Sequence, residues 1–151
     1  MTSFGDRQLR QFDTAGGDEL RRVDLPDYMS PLHAVESPTA TFIVGHYNSQ
    51  LAQLQVSEVS TEGQVLRQFS GSSLGGSAYI AIDRQGNIFV ADSGYRHILL
   101  LDAQLALRRV IIDARQLNGR RPWRLCYTDQ SGQLLVGLIE DRVAVFDVLE
   151  R

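Results

Sequence analysis

Apolar and polar residues along this chain alternate over short stretches and never settle into a sustained helical rhythm. Tyr79-Ile80-Ala81-Ile82-Asp83 has the length and composition of a strand, Arg84-Gln85-Gly86-Asn87 that of a turn, and Ile88-Phe89-Val90-Ala91 that of a second strand. His97–Asp102 and Leu107–Ile112 follow as a third and a fourth. Even the wholly apolar Ile98-Leu99-Leu100-Leu101 is only of strand length, far short of the roughly 20 residues of a membrane helix. The pattern predicts an all-β protein.

The pattern also repeats. Asp83 and Asp129, Gly86 and Gly132, and Val90 and Val136 are each 46 positions apart, and 46 before Val90 lies Val44, within Thr41-Phe42-Ile43-Val44-Gly45. Four short strands in a unit of 40–50 residues is the signature of a β-propeller blade. The expected organisation is a single region, 1–151, with blade strands over about 30–70, 76–112 and 119–150. In the third blade the strands Trp123–Tyr127, Leu134–Gly137 and Arg142–Val148 are followed by the end of the sequence, so a fourth strand is missing. Gln64-Val65-Leu66-Arg67-Gln68-Phe69, which ends the first blade, is echoed by Arg7-Gln8-Leu9-Arg10-Gln11-Phe12. That echo predicts that strand 7–12 completes a third blade, that of a partner chain. Three four-stranded blades per chain make half of a six-bladed ring. Bare blade faces and an open edge favour a homodimer that closes it.

The stretch Tyr79-Ile80-Ala81-Ile82-Asp83-Arg84-Gln85-Gly86-Asn87-Ile88-Phe89-Val90-Ala91-Asp92-Ser93-Gly94-Tyr95-Arg96-His97-Ile98 resembles an NHL repeat, with an apolar strand ending in Asp, a Gly-Asn turn, a V-x-D strand end and an S-x-x-x-R/H-I loop. His46 and Leu138 stand where Asp92 stands in the other two copies, so the full motif occurs once. The resemblance to the NHL-repeat family, as in tripartite-motif NHL proteins, implies a six-bladed propeller that binds partners, proteins in many cases and RNA in some. Related propellers include lactonases and lyases, so the site must decide between binding and catalysis.

Composition narrows the chemistry. All 15 basic residues are arginine, which removes Schiff-base and phosphate-loop lysines. A net charge of −3 disfavours a dedicated nucleic-acid binder despite arginine pairs at 21–22, 108–109 and 120–121. Cys126 is the only cysteine, which excludes an internal disulfide and mildly favours a reducing, cytoplasmic setting. No signal peptide opens the sequence, and at 43% hydrophobic content the chain reads as soluble and globular.

In a propeller the loops entering each blade and those joining its second and third strands emerge on one rim. Here these are Asp13–Ser30, Ser70–Ser77 and Asp113–Pro122, with His46–Gln50, Asp92–Arg96 and Leu138–Asp141. They gather Arg21, Arg22, Tyr28, His46, Tyr47, Tyr95, Arg120, Arg121 and Trp123 as candidate partner-binding residues, because arginine and large aromatics dominate binding hot spots. Asp92 reads as a structural residue that accepts loop amides, with Arg96 as its ion partner. Gly71-Ser72-Ser73-Leu74-Gly75 matches G-x-S-x-G, but no helix follows it, so a catalytic elbow is not expected. His33, His46 and His97 fit no metal-ligand spacing. Glu36, Asp83 and Asp129 are the acids that the innermost strands offer to an axial metal, the last two in turn positions.

The expected function is therefore non-catalytic binding of a protein or peptide on the loop face, with no cofactor and no membrane role. The alternative is a metal-dependent lactonase- or lyase-like hydrolase at the axis. RNA binding and a ligandless engineered half-propeller stand further back.

Overall fold

The computed structural model describes residues 2–5, 7–70, 74–140 and 142–148. Gly71, Ser72 and Ser73 of the G-x-S-x-G match lie outside the described residues, as does Asp141 of the last rim loop. The fold is all-β: fourteen strands make four antiparallel sheets that follow one another in chain order. Sheet one holds β1 (Thr2–Gly5), β2 (Gln8–Phe12) and β3 (Glu19–Asp24). Sheet two holds β4 (Met29–Glu36), β5 (Phe42–Asn48), β6 (Gln53–Val59) and β7 (Val65–Ser70). Sheet three is β8 (Tyr79–Ile82), β9 (Ile88–Asp92), β10 (His97–Leu101) and β11 (Leu107–Ile112). Sheet four is β12 (Pro122–Thr128), β13 (Gln133–Leu138) and β14 (Arg142–Asp147). Sheets two and three, each four antiparallel strands in sequential order, are consistent with propeller blades.

The central strands of these sheets are buried on both faces, and alternate residues serve opposite neighbours. Along β5, Phe42 and Val44 enter the layer shared with sheet one, where they meet Leu9, Val23 and Met29. Ile43, between them, enters the layer shared with sheet three, with Val56, Ile80, Ile88 and Val90. Along β9, Phe89 and Ala91 turn the other way, toward Leu134, Val136 and Leu138 of sheet four. Each such fully buried side chain stabilises the fold by roughly 1.5–3 kcal/mol over leaving it in water. Because β9 feeds apolar layers on both sides, its first four residues read Ile-Phe-Val-Ala without alternation.

Two turns explain the motif at 83–87. Asp83 accepts the Gln85 and Asn87 amides, each at 2.9 Å, and Gly86 takes φ of +88°, which suits a residue without Cβ. Gly132 repeats this with φ of +67° in the 129–132 turn.

The N-terminal expectation is corrected. Strand β2 is the middle strand of sheet one, paired with β1 along one edge and β3 along the other. Both of its hydrogen-bonding edges are occupied, so it has none to offer a fourth strand's place in sheet four. The described residues accordingly form two four-stranded and two three-stranded sheets where three blades were expected. Sheet four does end at three strands, and β14 pairs with β13 alone among the described residues.

Candidate functional site

In sheets two, three and four the segment that enters the sheet meets the turn between its second and third strands. In sheet two the Ser49 amide donates to the Tyr28 carbonyl at 2.9 Å. In sheet four the Ile139 amide donates to the Arg121 carbonyl at 3.1 Å, and the Arg120 guanidinium reaches the Glu140 carboxylate at 3.0 Å.

Sheet three is joined far more densely. Asp92, at 0% exposure, accepts the amides of Gly75 and Gly76 at 2.8 Å each, Ser77 at 3.2 Å, Gly94 at 3.0 Å and Tyr95 at 3.4 Å. The side chain facing it is His97, whose Nε2 lies 3.4 Å away, rather than Arg96, which occupies the left-handed turn position at φ of 58°. Five amides and an imidazole around one carboxylate replace the water it loses on burial. His46 and Leu138 are also buried at the corresponding positions. His46 bonds Ser57 Oγ at 2.7 Å, and burial pushes its pKa below the usual 6.5, with the Tyr47 backbone offsetting only part. One position thus carries a charged, a neutral polar and an apolar anchor in successive sheets.

Not all nine candidate residues lie at these junctions. Tyr47 and Tyr95 are exposed there, and the Tyr95 ring lies against Gly75, where any Cβ would come within 2.9 Å of it. Tyr28 is half-buried in the segment entering sheet two and packs on the core below. Arg120 and Arg121 sit on the segment entering sheet four, and Trp123, 42% exposed, is the second residue of β12. His46 is corrected to a core residue. Arg21 and Arg22 are corrected as well: Glu19–Asp24 is strand β3, and Arg22 pairs with Glu19 at 2.9 Å on the flank of sheet one.

Apolar residues that the sequence reading passed over complete the surface. Leu51 and Ile139 are exposed on the turns of sheets two and four. Tyr47, Leu54, Leu74, Gly75 and Gly76 line a groove of about 530 Å³, with Ala52 and Gln53 at its side. Leu51 and Ile139 stand in turns of the repeat, but they fall outside the arginine and aromatic types that mark hot spots.

The three acids considered for an axial metal have other partners. Asp83 is bound in its turn, Glu36 accepts Gln11 Nε2 at 2.8 Å, and Asp129 accepts the Arg84 amide at 3.1 Å. Among the described residues no three His, Cys, Asp or Glu side chains converge as metal ligands. A larger groove, of about 800 Å³, runs between sheets three and four past Leu100, Asp102, Arg108, Arg109 and Val148, beside the place a fourth strand of sheet four would take.

A crystal structure of a protein of unknown function from Bacteroides caccae is similar to this chain, with a TM-score of 0.53 and 14% sequence identity. The match covers 93% of this chain and 54% of that one, so this chain spans about half the length of that protein. At this identity the similarity concerns the fold alone. No family model matches the chain, and no curated protein matches it.

Proposed function

We propose that this chain is a non-catalytic interaction module of NHL-like propeller type that binds a protein or peptide on the loop face just described. The observation that carries the reading is the exposed apolar and aromatic set Tyr47, Leu51, Tyr95 and Ile139, spread over three successive turns beside a groove floored by Leu54 and Leu74. Surfaces of this kind bury apolar area while the tyrosine hydroxyls keep a directional contact, the combination found in binding hot spots. The Asp92 network holds the Leu74–Ser77 segment still, so a ligand loses little affinity to ordering it.

Panning a random peptide library against the immobilised chain tests this. Enriched peptides should carry apolar anchors, and Tyr47→Ala combined with Tyr95→Ala should weaken their binding by about tenfold or more, as expected for two hot-spot aromatics. Peptides that bind the double variant as tightly as the parent would place recognition elsewhere.

We also propose a homodimer, but through sheet four rather than through strand 7–12. Val143 and Val145 are 65% and 54% exposed and share a face with Leu135 and Cys126, with Arg124 at its far side on β12. Strands β2 and β3 of sheet one, by contrast, carry the Arg10–Glu19–Arg22 ion pairs. An apolar face seeks another apolar face, and an isologous contact supplies one. Light scattering should give a dimer mass for the parent chain and a monomer mass for Val145→Arg. A monomeric parent, or a variant that still dimerises, would rule this contact out.

A further inference from the structure

Residues from three successive sheets meet along the first strands of those sheets, away from the turn groove. The His33 ring of β4 lies 5.9 Å from the Tyr79 ring of β8, and the Arg124 guanidinium of β12 lies 5.5 Å from that same tyrosine ring and 4.8 Å from the Trp123 ring. Tyr79 is the hub. The interval from His33 to Tyr79 is the same 46 positions that separate Asp83 from Asp129, so the two occupy matching places in successive repeats.

The proton on His33 follows from its backbone partner. The Ile80 amide donates to Nδ1 at 3.0 Å, which makes Nδ1 the acceptor and puts the proton of the neutral ring on Nε2. Burial, and secondarily the Arg124 charge, hold the His33 pKa below the usual 6.5, so the ring is neutral at pH 7. What remains to bind a ligand is mainly donors: the imidazole Nε2–H, the Tyr79 hydroxyl, the Trp123 indole N–H and the Arg124 fork. Arg124 is exposed and forms no ion pair with any carboxylate among the described residues, unlike Arg22, Arg67 and Arg120. Two aromatic faces hold it in place, which spares part of the entropy a free arginine would lose on binding.

We infer that His33, Tyr79, Trp123 and Arg124 form a binding site for a carboxylate group beside an apolar or aromatic moiety. One net positive charge matches a carboxylate monoanion and leaves a phosphate dianion undercompensated. The planar guanidinium suits the two oxygens of a carboxylate, and the exposed indole offers a face for a neighbouring apolar group. The site shares no residue with the lining of the turn groove, and Arg124 lies two strands from Val143 on the same face of sheet four.

Trp123 is the only tryptophan, so its fluorescence reports on this site directly. The probes are N-acetylphenylalanine, its amide, inorganic phosphate, and the tripeptide acetyl-Ala-Ala-Phe with a free C-terminus or a C-terminal amide, at constant ionic strength. Both free acids should change the Trp123 emission saturably, whereas the amides should not, and phosphate should bind about tenfold more weakly or worse. Arg124→Gln should raise the Kd for the acids by about tenfold or more while leaving the melting temperature unchanged, since the side chain is exposed. Equal affinity of the two acids would mark a small-molecule carboxylate site; a clear preference for the tripeptide would mark capture of a peptide C-terminus. Absence of a saturable change, equal responses to acid and amide, or unchanged affinity in Arg124→Gln would overturn the assignment.

Discussion

Replacing Asp92 with alanine should lower the free energy of unfolding by about 3–5 kcal/mol, the range for removing one partner of a buried charged network. The substitution leaves the amides of Gly75, Gly76, Ser77, Gly94 and Tyr95 facing a small cavity, and leaves His97 without its carboxylate. Each amide left without an acceptor loses its hydrogen bond and adds its own cost until the segment rearranges. Asp92→Asn keeps one acceptor oxygen but presents an amide N–H to donors, so it should cost less than alanine yet more than about 1 kcal/mol. Urea unfolding of the three chains measures both effects. A loss under about 1 kcal/mol in the alanine variant would mean that the amides find other acceptors. The same network also orders the groove, so amide hydrogen exchange over 74–77 and 93–95 should accelerate even at temperatures where the rest of the variant stays folded.

Gly45→Ala should be nearly as damaging, by about 3 kcal/mol, the upper part of the range for overpacking. Gly45 lies in the middle of β5, where the next sheet comes closest: an added methyl would overlap the carbonyl oxygen of Ala78 and sit 2.9 Å from its Cβ. Backbone cannot move aside as a flexible side chain can. Sheets two and three would have to part along the layer that holds Ile43, Val56, Ala78 and Ile80, giving up dispersion contacts on both sides. The midpoint of chemical unfolding should fall with little change in its slope. A variant within about 1 kcal/mol of the parent would show that the sheets are free to shift.

These two positions also show how far one-dimensional information reaches. The Asp92 environment was half legible: a carboxylate at a strand end followed by Ser-Gly implies loop amides as partners, and that holds. Its other partners, Gly75 and Gly76, lie 16 or 17 residues earlier, on a segment whose placement depends on sheets two and three being side by side. Arg96 was expected as the ion partner from spacing alone, but its positive φ turns the backbone so that His97 faces the carboxylate instead.

The repeat interval was legible because the second strands β5, β9 and β13 are packed in the core and carry apolar residues, Val44, Val90 and Val136 among them, at matching positions. Sheet one escaped notice for the opposite reason. In Glu19-Leu20-Arg21-Arg22-Val23-Asp24 only Val23 is buried, so an outer strand with one face in water left too sparse a pattern to distinguish it from a loop. Once β3 exists, strand 7–12 has a neighbour on each side, and its likeness to 64–69 marks a repeated strand type without identifying its partner.

By itself, then, the order of residues determined the strand composition, the 46-residue repeat, the Asp-Gly turns at 83–86 and 129–132 and the all-β class, because each depends on neighbours within a few positions or on burial of both strand faces. Only the tertiary structure decided that His46 points into the core while Tyr47 points out, that Arg21 and Arg22 leave the loop face, and that His33, Tyr79 and Arg124 stand together. A strand's sequence states which residues alternate, but which side of the alternation meets water is set by the sheets packed against it.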